Sequence, residues 1–555
     1  MFEPLIPEID LSEIRFEHDW RVHLRRAKLK ILFVTDSRFN DTDSVYEFMD
    51  GQTLGCTNFE VHRALYTNAP GGVTVDPSPG PNDPHYTGFQ FQSEHPDGGK
   101  ILDRYHVVFL FAVSSSSSFI DDAECAELHR WMDAGGGIFA TGDHATLGQR
   151  MASRIPRVGT MRKWTTADGV PPRLGPTRLD TNQPDPGKPG EVAGTEEIPT
   201  SAQSDEHPQP ITWLAVRTRW LSAYRQVRYP HEILCHPDHG AINVMPDHPH
   251  EGECADPSTI NYAAPVKYDE SDDAPKEYPT TSGGHQEKPV IIARGRNASQ
   301  YWQAKDDPPG NLDDKVFDMI SVYDGHENDV GRVVVDSTWH HWYGMNINGL
   351  IAAGGVDWDK IGRYFLNVAK YLAPAGVYRE SCWWEVLDRQ FQYPFNEEVL
   401  LVEHDLELRE LGNIYREGLR LSWGECGVTR FVLENICVVR PGLCELIERE
   451  VIPPIDPQRP PHGPVCLTCP PWDLIQATVL GGIVRGTQPL REQLTGIFFE
   501  GQQAKGRIEP DVIRKHALEG VAEALDEMVE EIQSDLEHTT KAWSATGDKD
   551  YRQKS

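Results

Sequence analysis

The chain has 555 residues, with 53 Lys and Arg against 85 Asp and Glu and a formal net charge of -32. A surface this acidic repels phosphate backbones and anionic headgroups, which proteins bind through Lys and Arg, so no nucleic-acid or membrane partner is expected. With 39% hydrophobic residues, 14 Trp, 18 Tyr and 19 Phe, the chain can build more than one core, and its length calls for two or three domains.

Met1–Asp19 mixes acids with isolated apolar residues and lacks a basic segment followed by an apolar one, so no signal peptide is read there. The longest apolar run, Ala477–Val484, falls far short of the ~18 residues a membrane helix needs. A cytoplasmic location is the expectation. The 10 cysteines are scattered, which fits reduced thiols better than a disulfide framework. Cys466 and Cys469 form the one close pair, readable as half a zinc site, as a redox pair, or as two small thiols. The other candidates, Cys426, Cys437, Cys444 and His462, supply no second tight pair.

After a tail at 1–27, Leu29–Thr35 reads as a buried strand ending at Asp36. A helix is predicted over Glu60–Tyr66 and a short strand over Gly72–Asp76. Val107–Val113 is the clearest strand, and Ser114–Ser118 links it to a helix over Asp121–Ala134, whose acidic start suits a helix N-terminus. Gly135, Gly136 and Gly137 lead into another apolar run that stops at Gly142 and releases Asp143 and His144 into a turn. Strand, helix and strand joined by short links signal a right-handed parallel crossover.

A loop-rich insertion is expected at about 165–288, rich in Pro, Gly and Asp, with structure resuming at Ile211–Tyr224. It contains the densest polar cluster of the chain, His231, His236, Asp238, His239, Asp247, His248, His250, Glu251, Glu253 and Cys254. Val290–Arg294 and Phe317–Tyr323 read as strands. Asp324, Gly325 and His326 form a polar turn assigned to the opposite sheet edge. Gly331–Thr338 is a strand released into Trp339, His340, His341 and Trp342, and Asp357–Leu372 is an amphipathic helix closing a domain over 28–375. From 376 to 545 the periodicity is helical throughout, interrupted by Pro453–Pro464, and 546–555 is a polar tail. The helical domain is expected to serve self-association.

These elements, from the first strand and its polar turn through Val107–Val113, Trp131–His144 and Gly331–Val335 to His340 and His341, resemble the class I glutamine amidotransferase-like superfamily, nearest to its ThuA-like trehalose-utilisation branch. The similarity covers Lys28–Ala373. It implies an α/β fold with a flavodoxin-like parallel sheet and helices on both faces, beside the insertion and the C-terminal all-helical domain. True amidotransferases of the superfamily carry a nucleophilic cysteine at a Gly-x-Cys-x-Gly turn that corresponds to Gly142. Here the residues are Gly142, Asp143, His144 and Ala145, so glutaminase activity is not expected.

Parallel sheets bind ligands outside the carboxyl ends of their strands. Asp143, His144, His340 and His341 are therefore the catalytic candidates, as acid, base or metal ligand. Asp36, Ser114, Ser115, Trp339 and Trp342 are the substrate-binding candidates, the indoles as stacking surfaces for a sugar ring. Asp247, His248, His250 and Glu251 are the metal candidates, shared with one of the rim residues around zinc or manganese, although the same side chains would also serve to hydrogen-bond the insertion onto the domain. Two readings stay open. One is a hydrolase-type enzyme acting on a small polar or carbohydrate-like molecule, with or without a metal; the other is a non-catalytic binding or assembly protein on an amidotransferase-like fold.

Overall fold

The computed structural model describes residues 27–36, 42–68, 71–80, 83–111, 120–142, 146–164, 177–179, 197–199, 208–222, 225–246, 252–297, 315–392, 407–452, 471–499 and 510–547. Two compact units are present: among the described residues, one holds Ala27–Val216 together with Pro230–Ser381, and the other holds Arg217–Tyr229 and the residues from Cys382 onward.

The first unit is an α/β fold around one mixed sheet of 11 strands. In chain order the strands are β1 (Ala27–Thr35), β2 (Thr53–Leu54), β3 (Thr57–Tyr66), β4 (Thr74–Val75), β5 (Tyr86–Phe89), β6 (Val107–Phe111), β7 (Gly137–Thr141), β8 (Thr212–Trp213), β9 (Val290–Asn297), β10 (Lys315–Tyr323) and β11 (Val333–Asp336). They lie in the order β8-β9-β10-β11-β7-β6-β1-β3-β5-β4, with β2 paired to β3. The stretch β5-β3-β1-β6-β7-β11 is parallel throughout. Antiparallel strands extend it at both sides. The chain runs outward from β1 through β3 to β5, then returns to β6 and continues the other way. The reversal lies between β1 and β6.

The segment read as a helix over Glu60–Tyr66 is the strand β3. Val61, Ala64 and Leu65 are spaced like one helical face, but Phe59 and Val61 are buried alternately with half-exposed Asn58 and Glu60. Pairing with β1 over its whole length decides the conformation, since tertiary context overrides weak local patterns.

Successive strand residues face opposite sides, and here each side has its own helix. The helices of seven or more residues in this unit are α1 (Asp43–Met49), α2 (Asp122–Asp133), α3 (Gly344–Ala353), α4 (Gly355–Tyr371) and α5 (Ala375–Gln392), the last running into the second unit. Leu32, Val34, Val108, Leu110, Ile138, Ala140, Val333 and Val335 share one buried cluster with Cys125, Leu128, Trp131 and Met132 of α2. On the other side, Phe33, Phe109 and Phe139 form an aromatic ladder that continues through Trp342 to Phe365 of α4. A capping box starts α2: Asp121 accepts from the Glu124 backbone amide at 2.8 Å, and Glu124 accepts in return from that of Asp121 at 3.3 Å. Glycine at 137 lets β7 pass against α4, because a Cβ there would lie 1.9 Å from the Leu372 carbonyl oxygen.

The second unit is helical: α6 (Leu408–Val439), α7 (Pro441–Glu450), α8 (Trp472–Phe499) and α9 (Pro510–Gly547), joined by the paired strands Ala215–Ser222 and Arg225–Pro230. α6 is kinked at Gly424, whose φ is 69° and ψ 170°. α8 and α9 touch backbone to backbone, since a Cβ on Gly482 would lie 2.5 Å from the Gly520 carbonyl oxygen and 2.7 Å from the Ala524 Cβ. Cys437 and Cys444 are joined in a disulfide, the one such bond among the described residues. The described free cysteines, 56, 125, 235, 254, 382 and 426, are all buried, and Cys466 and Cys469 lie outside the described residues. Among the described residues no helix is long and apolar enough to cross a membrane.

Two stability predictions arise. Gly482→Val forces α8 and α9 apart and should lower the unfolding free energy of the helical unit by about 1–3 kcal/mol; an unchanged denaturation midpoint would contradict the close packing. The second concerns His85 and His106, whose Nδ1 atoms accept backbone N–H groups of Arg63 at 3.2 Å and Lys30 at 3.1 Å. Burial pushes both imidazoles down to about 4, helped by neighbouring cations. The unfolded chain therefore binds two more protons between its ordinary histidine pKa of ~6.5 and about 4, and stability falls as pH drops through that window, by up to ~3 kcal/mol per histidine. Urea midpoints of the native protein and of a His85→Gln/His106→Gln variant at pH 7 and pH 5 check this. The native protein should lose more on acidification, and equal losses would refute it.

Candidate functional site at the carboxyl rim of the sheet

The strand register places Thr35, Phe111, Thr141 and Asp336 in one row across β1, β6, β7 and β11. All four are the last residues of parallel strands, so the segments that follow them leave from one edge of the sheet. Asp36, half-buried, follows β1. Ser114 and Ser115 follow β6, and Asp143 and His144 follow β7; both pairs lie outside the described residues, as do Asp247, His248, His250 and Glu251. Residues Ser337–Trp342 follow β11. The polar turn at Asp324 is at the opposite edge, because antiparallel β10 ends where Tyr323 pairs with Val333 at the start of β11.

Alternation along β11 turns Val333 and Val335 towards α2 and Val334 and Asp336 towards α4. The Asp336 carboxylate is completely buried and is met there by several donors. His341 Nδ1 lies 3.0 Å from Oδ1 and 2.9 Å from Oδ2. Trp342 Nε1 and the Tyr364 hydroxyl each donate to Oδ2 at 3.2 Å, and the Thr338 amide donates to Oδ1 at 3.3 Å. An acid buried among carbon atoms needs such partners, and each donor fixes it further. A carboxylate on Nδ1 selects the Nδ1–H tautomer of a neutral imidazole and places the lone pair on Nε2. Burial, with Asp336 alongside, pushes the Tyr364 hydroxyl far up, so it acts as a donor.

His340 and His341 leave β11 without strand-like alternation. They sit in a short 3₁₀ turn, His340–Trp342, and both are fully buried. The turn lets His341 fold back on Asp336 five residues earlier. Trp342 is corrected as a stacking surface: its indole is 0% exposed and packed on Phe139, Phe109 and Phe365, so its work is to hold Asp336 and the core. Trp339 is half-buried, edge-on to Tyr343 with centroids 4.2 Å apart, and remains in a position to meet a ligand.

Beside this pair lies a buried arginine that the sequence reading missed. Arg162 Nε and Nη2 donate to the Ser337 carbonyl oxygen at 3.2 and 2.6 Å, Nη1 donates to that of Lys163 at 2.9 Å, and the guanidinium lies 4.6 Å from the Trp164 ring centroid. Two glycines close around it. A Cβ on Gly252 would lie 2.0 Å from Arg162 Nη2 and 2.8 Å from the Ser337 carbonyl oxygen, and one on Gly142 would lie 3.0 Å from Arg162 Nη1. Gly142 immediately precedes Asp143, and Gly252 immediately follows Glu251. The pairing of Glu253 and Cys254 with Lys163 and Arg162 holds the second anchor in place. Chain anchors of the predicted catalytic turn and of the predicted metal segment thus meet at one guanidinium, next to the exit of β11.

Among the described residues, no group of three or more His, Cys, Asp or Glu side chains is arranged to hold a metal. Nor does a described thiol suit nucleophilic chemistry at this rim. Cys254 Sγ is buried, donates to the Met319 and Val335 carbonyl oxygens, and is pushed well up by burial and by nearby Asp336. Burial pushes Cys125 up to about 12. The chain matches no family model, no curated protein and no solved structure.

The Asp336–His341 pair makes a spectroscopic prediction. Nitrogen-resolved NMR of the ring should find His341 with the proton on Nδ1, and Asp336→Asn, which puts a donor amide in place of one acceptor oxygen, should shift the proton towards Nε2. The same tautomer in both proteins would remove Asp336 as its determinant.

Proposed function

We propose that the chain is a hydrolase-type enzyme acting on a small polar or carbohydrate-like substrate at the carboxyl rim, and that it belongs to the class I glutamine amidotransferase-like superfamily, ThuA-like branch, without glutaminase activity. The single observation that carries the reading is the carboxylate-held imidazole of His341 at the end of a parallel strand, next to the meeting point of Gly142 and Gly252. Two further features support it. Leaving out β5, the outermost of the parallel strands, the rest run β3-β1-β6-β7-β11, the 2-1-3-4-5 order of flavodoxin-like folds. The β7 turn carries Asp143 and His144 where the amidotransferases carry cysteine.

In this reading His341 Nε2 takes a proton from the attacking water or ligates a divalent metal, and Asp336 orients it for either task. Asp143 and His144 supply the second acid or base. The donor set fits zinc or manganese: His341 with one or two of Asp143, His144, Asp247, His248, His250 and Glu251, since borderline metals accept imidazole and carboxylate together. Such a metal would lower the pKa of bound water and supply hydroxide near neutral pH. Asp36, Ser114, Ser115 and Trp339 are the candidates for contacting substrate, and Arg162 adds a fixed positive charge that favours an anion developing near the exit of β11.

Elemental analysis of the purified protein, with assays against small esters, phosphates and glycosides, tests the proposal. About one equivalent of zinc or manganese is expected, with activity abolished by chelation, restored by metal, and reduced at least 100-fold in His341→Ala and Asp143→Ala. A protein without metal whose variants retain every measurable activity would favour the non-catalytic binding role.

A further inference from the structure

The helical unit carries a feature that is independent of the rim. Cys437, in the last turn of α6, and Cys444, in the first turns of α7, are bonded to each other with their Cα atoms 4.8 Å apart. On a continuous helix residues seven apart are separated by about 10 Å along the axis, too far to bond. The corner at Arg440 and Pro441 makes the bond possible. Pro441 occupies the first position of α7, where its missing N–H costs nothing, and the Arg440 amide closes α6 on the Ile436 carbonyl oxygen at 2.7 Å.

Three observations make this bond more than a fastening. It is the one disulfide among the described residues, while the six described free thiols are buried, so the protein is not built on a disulfide framework. In a reducing compartment, where thiols are kept reduced, a lone disulfide is usually transient or redox-sensing rather than a staple. Cys437 is half-buried and reachable, whereas Cys444 is 6% exposed. Finally, α7 has a task of its own: Glu448 accepts from Arg217 Nη2 at 3.0 Å, and the Ile452 carbonyl oxygen accepts from Nη1 at 3.3 Å, so the end of α7 holds the ribbon formed by Ala215–Ser222 and Arg225–Pro230. Beside the bond, Ile447 and Ile452 are buried, and the Arg440–Asp526 ion pair is exposed on both sides and adds little.

We propose that the Cys437–Cys444 disulfide is a thiol-responsive clamp that sets how firmly α7 holds the 215–230 ribbon. A dithiol reductant opens it. One reductant thiolate attacks Cys437 Sγ and expels the Cys444 thiolate, which takes up a proton. The second reductant thiol then attacks the mixed disulfide, releasing Cys437 as a thiol and leaving the reductant as a disulfide, with two electrons and two protons transferred. An oxidised dithiol reverses the step. Opened, the corner at Arg440 is free to hinge, and the Arg217–Glu448 contact loses its fixed base.

Hydrogen exchange followed by mass spectrometry on the full chain, with and without a dithiol reductant, reads this directly. Reduction is expected to speed exchange at least 10-fold in 441–452 and in 217–229 while leaving β6 and β7 within twofold. Cys437→Ser and Cys444→Ser should exchange at the faster rate whether or not reductant is present. The proposal is overturned if the two thiols stay unpaired in the presence of oxidised glutathione, if reduction leaves both segments unchanged, or if reduction unfolds the whole helical unit, which would make the bond a staple.

Discussion

A carboxylate with no access to water must find donors inside the protein, and Asp336 finds them on three different pieces of chain. The Thr338 amide comes from its own strand exit, His341 and Trp342 from the turn beyond, and Tyr364 from α4. These bonds tie the end of β11 to the helix that covers that side of the sheet. They also explain why the His340–Trp342 segment turns back rather than continuing outward. The Trp342 indole serves both sides of the requirement, donating to Asp336 while its ring closes the ladder of Phe33, Phe109 and Phe139. Removing the acid would leave four buried donors facing one another, so the site and the core cannot be varied independently there.

The second constraint is the Arg162 guanidinium, which brings together segments far apart in sequence. A charged group held against the Ser337 and Lys163 carbonyl oxygens needs space close to the backbone, and glycine at 142 and 252 supplies it. A side chain at 252 would collide with the guanidinium and the Ser337 carbonyl, and one at 142 with the Leu147 carbonyl oxygen and the Trp164 ring packed on that guanidinium. In this way one buried cation marks where the chain leaves Gly142 and reaches Gly252, next to the exit of β11.

Much of this was legible in the residues. Continuous apolar runs bounded by glycine and acid gave β1, β6, β7 and β11, and the helical period from Gly355 to Tyr371 gave α4. The rim followed from the rule that parallel strands deliver their polar ends to one side. What escaped were partnerships that exist only in three dimensions. Asp336 read as the polar end of a valine strand and Tyr364 as one more residue on an apolar helix face. Arg162 sits in a stretch with no periodicity at all. β3 was read as a helix because three of its apolar residues happen to fall at helical spacing, whereas its pairing with β1 is invisible locally. The cysteines 437 and 444 are spaced as two turns of one helix would space them, and only the corner at Pro441 brings them together.

The proposed function requires that the segment bearing Asp143 and His144, the histidine-rich segment and His341 form one centre. A crystal structure of the protein soaked in zinc or manganese, with the ion located by its anomalous scattering, is the most direct measurement. The expected result is one ion about 2 Å from His341 Nε2 and from side chains of both the Asp143–His144 turn and the Asp247–Glu251 segment. Contradiction would come from a map with no ion at the rim and those side chains spread more than about 10 Å apart, a separation that no single ion bridges.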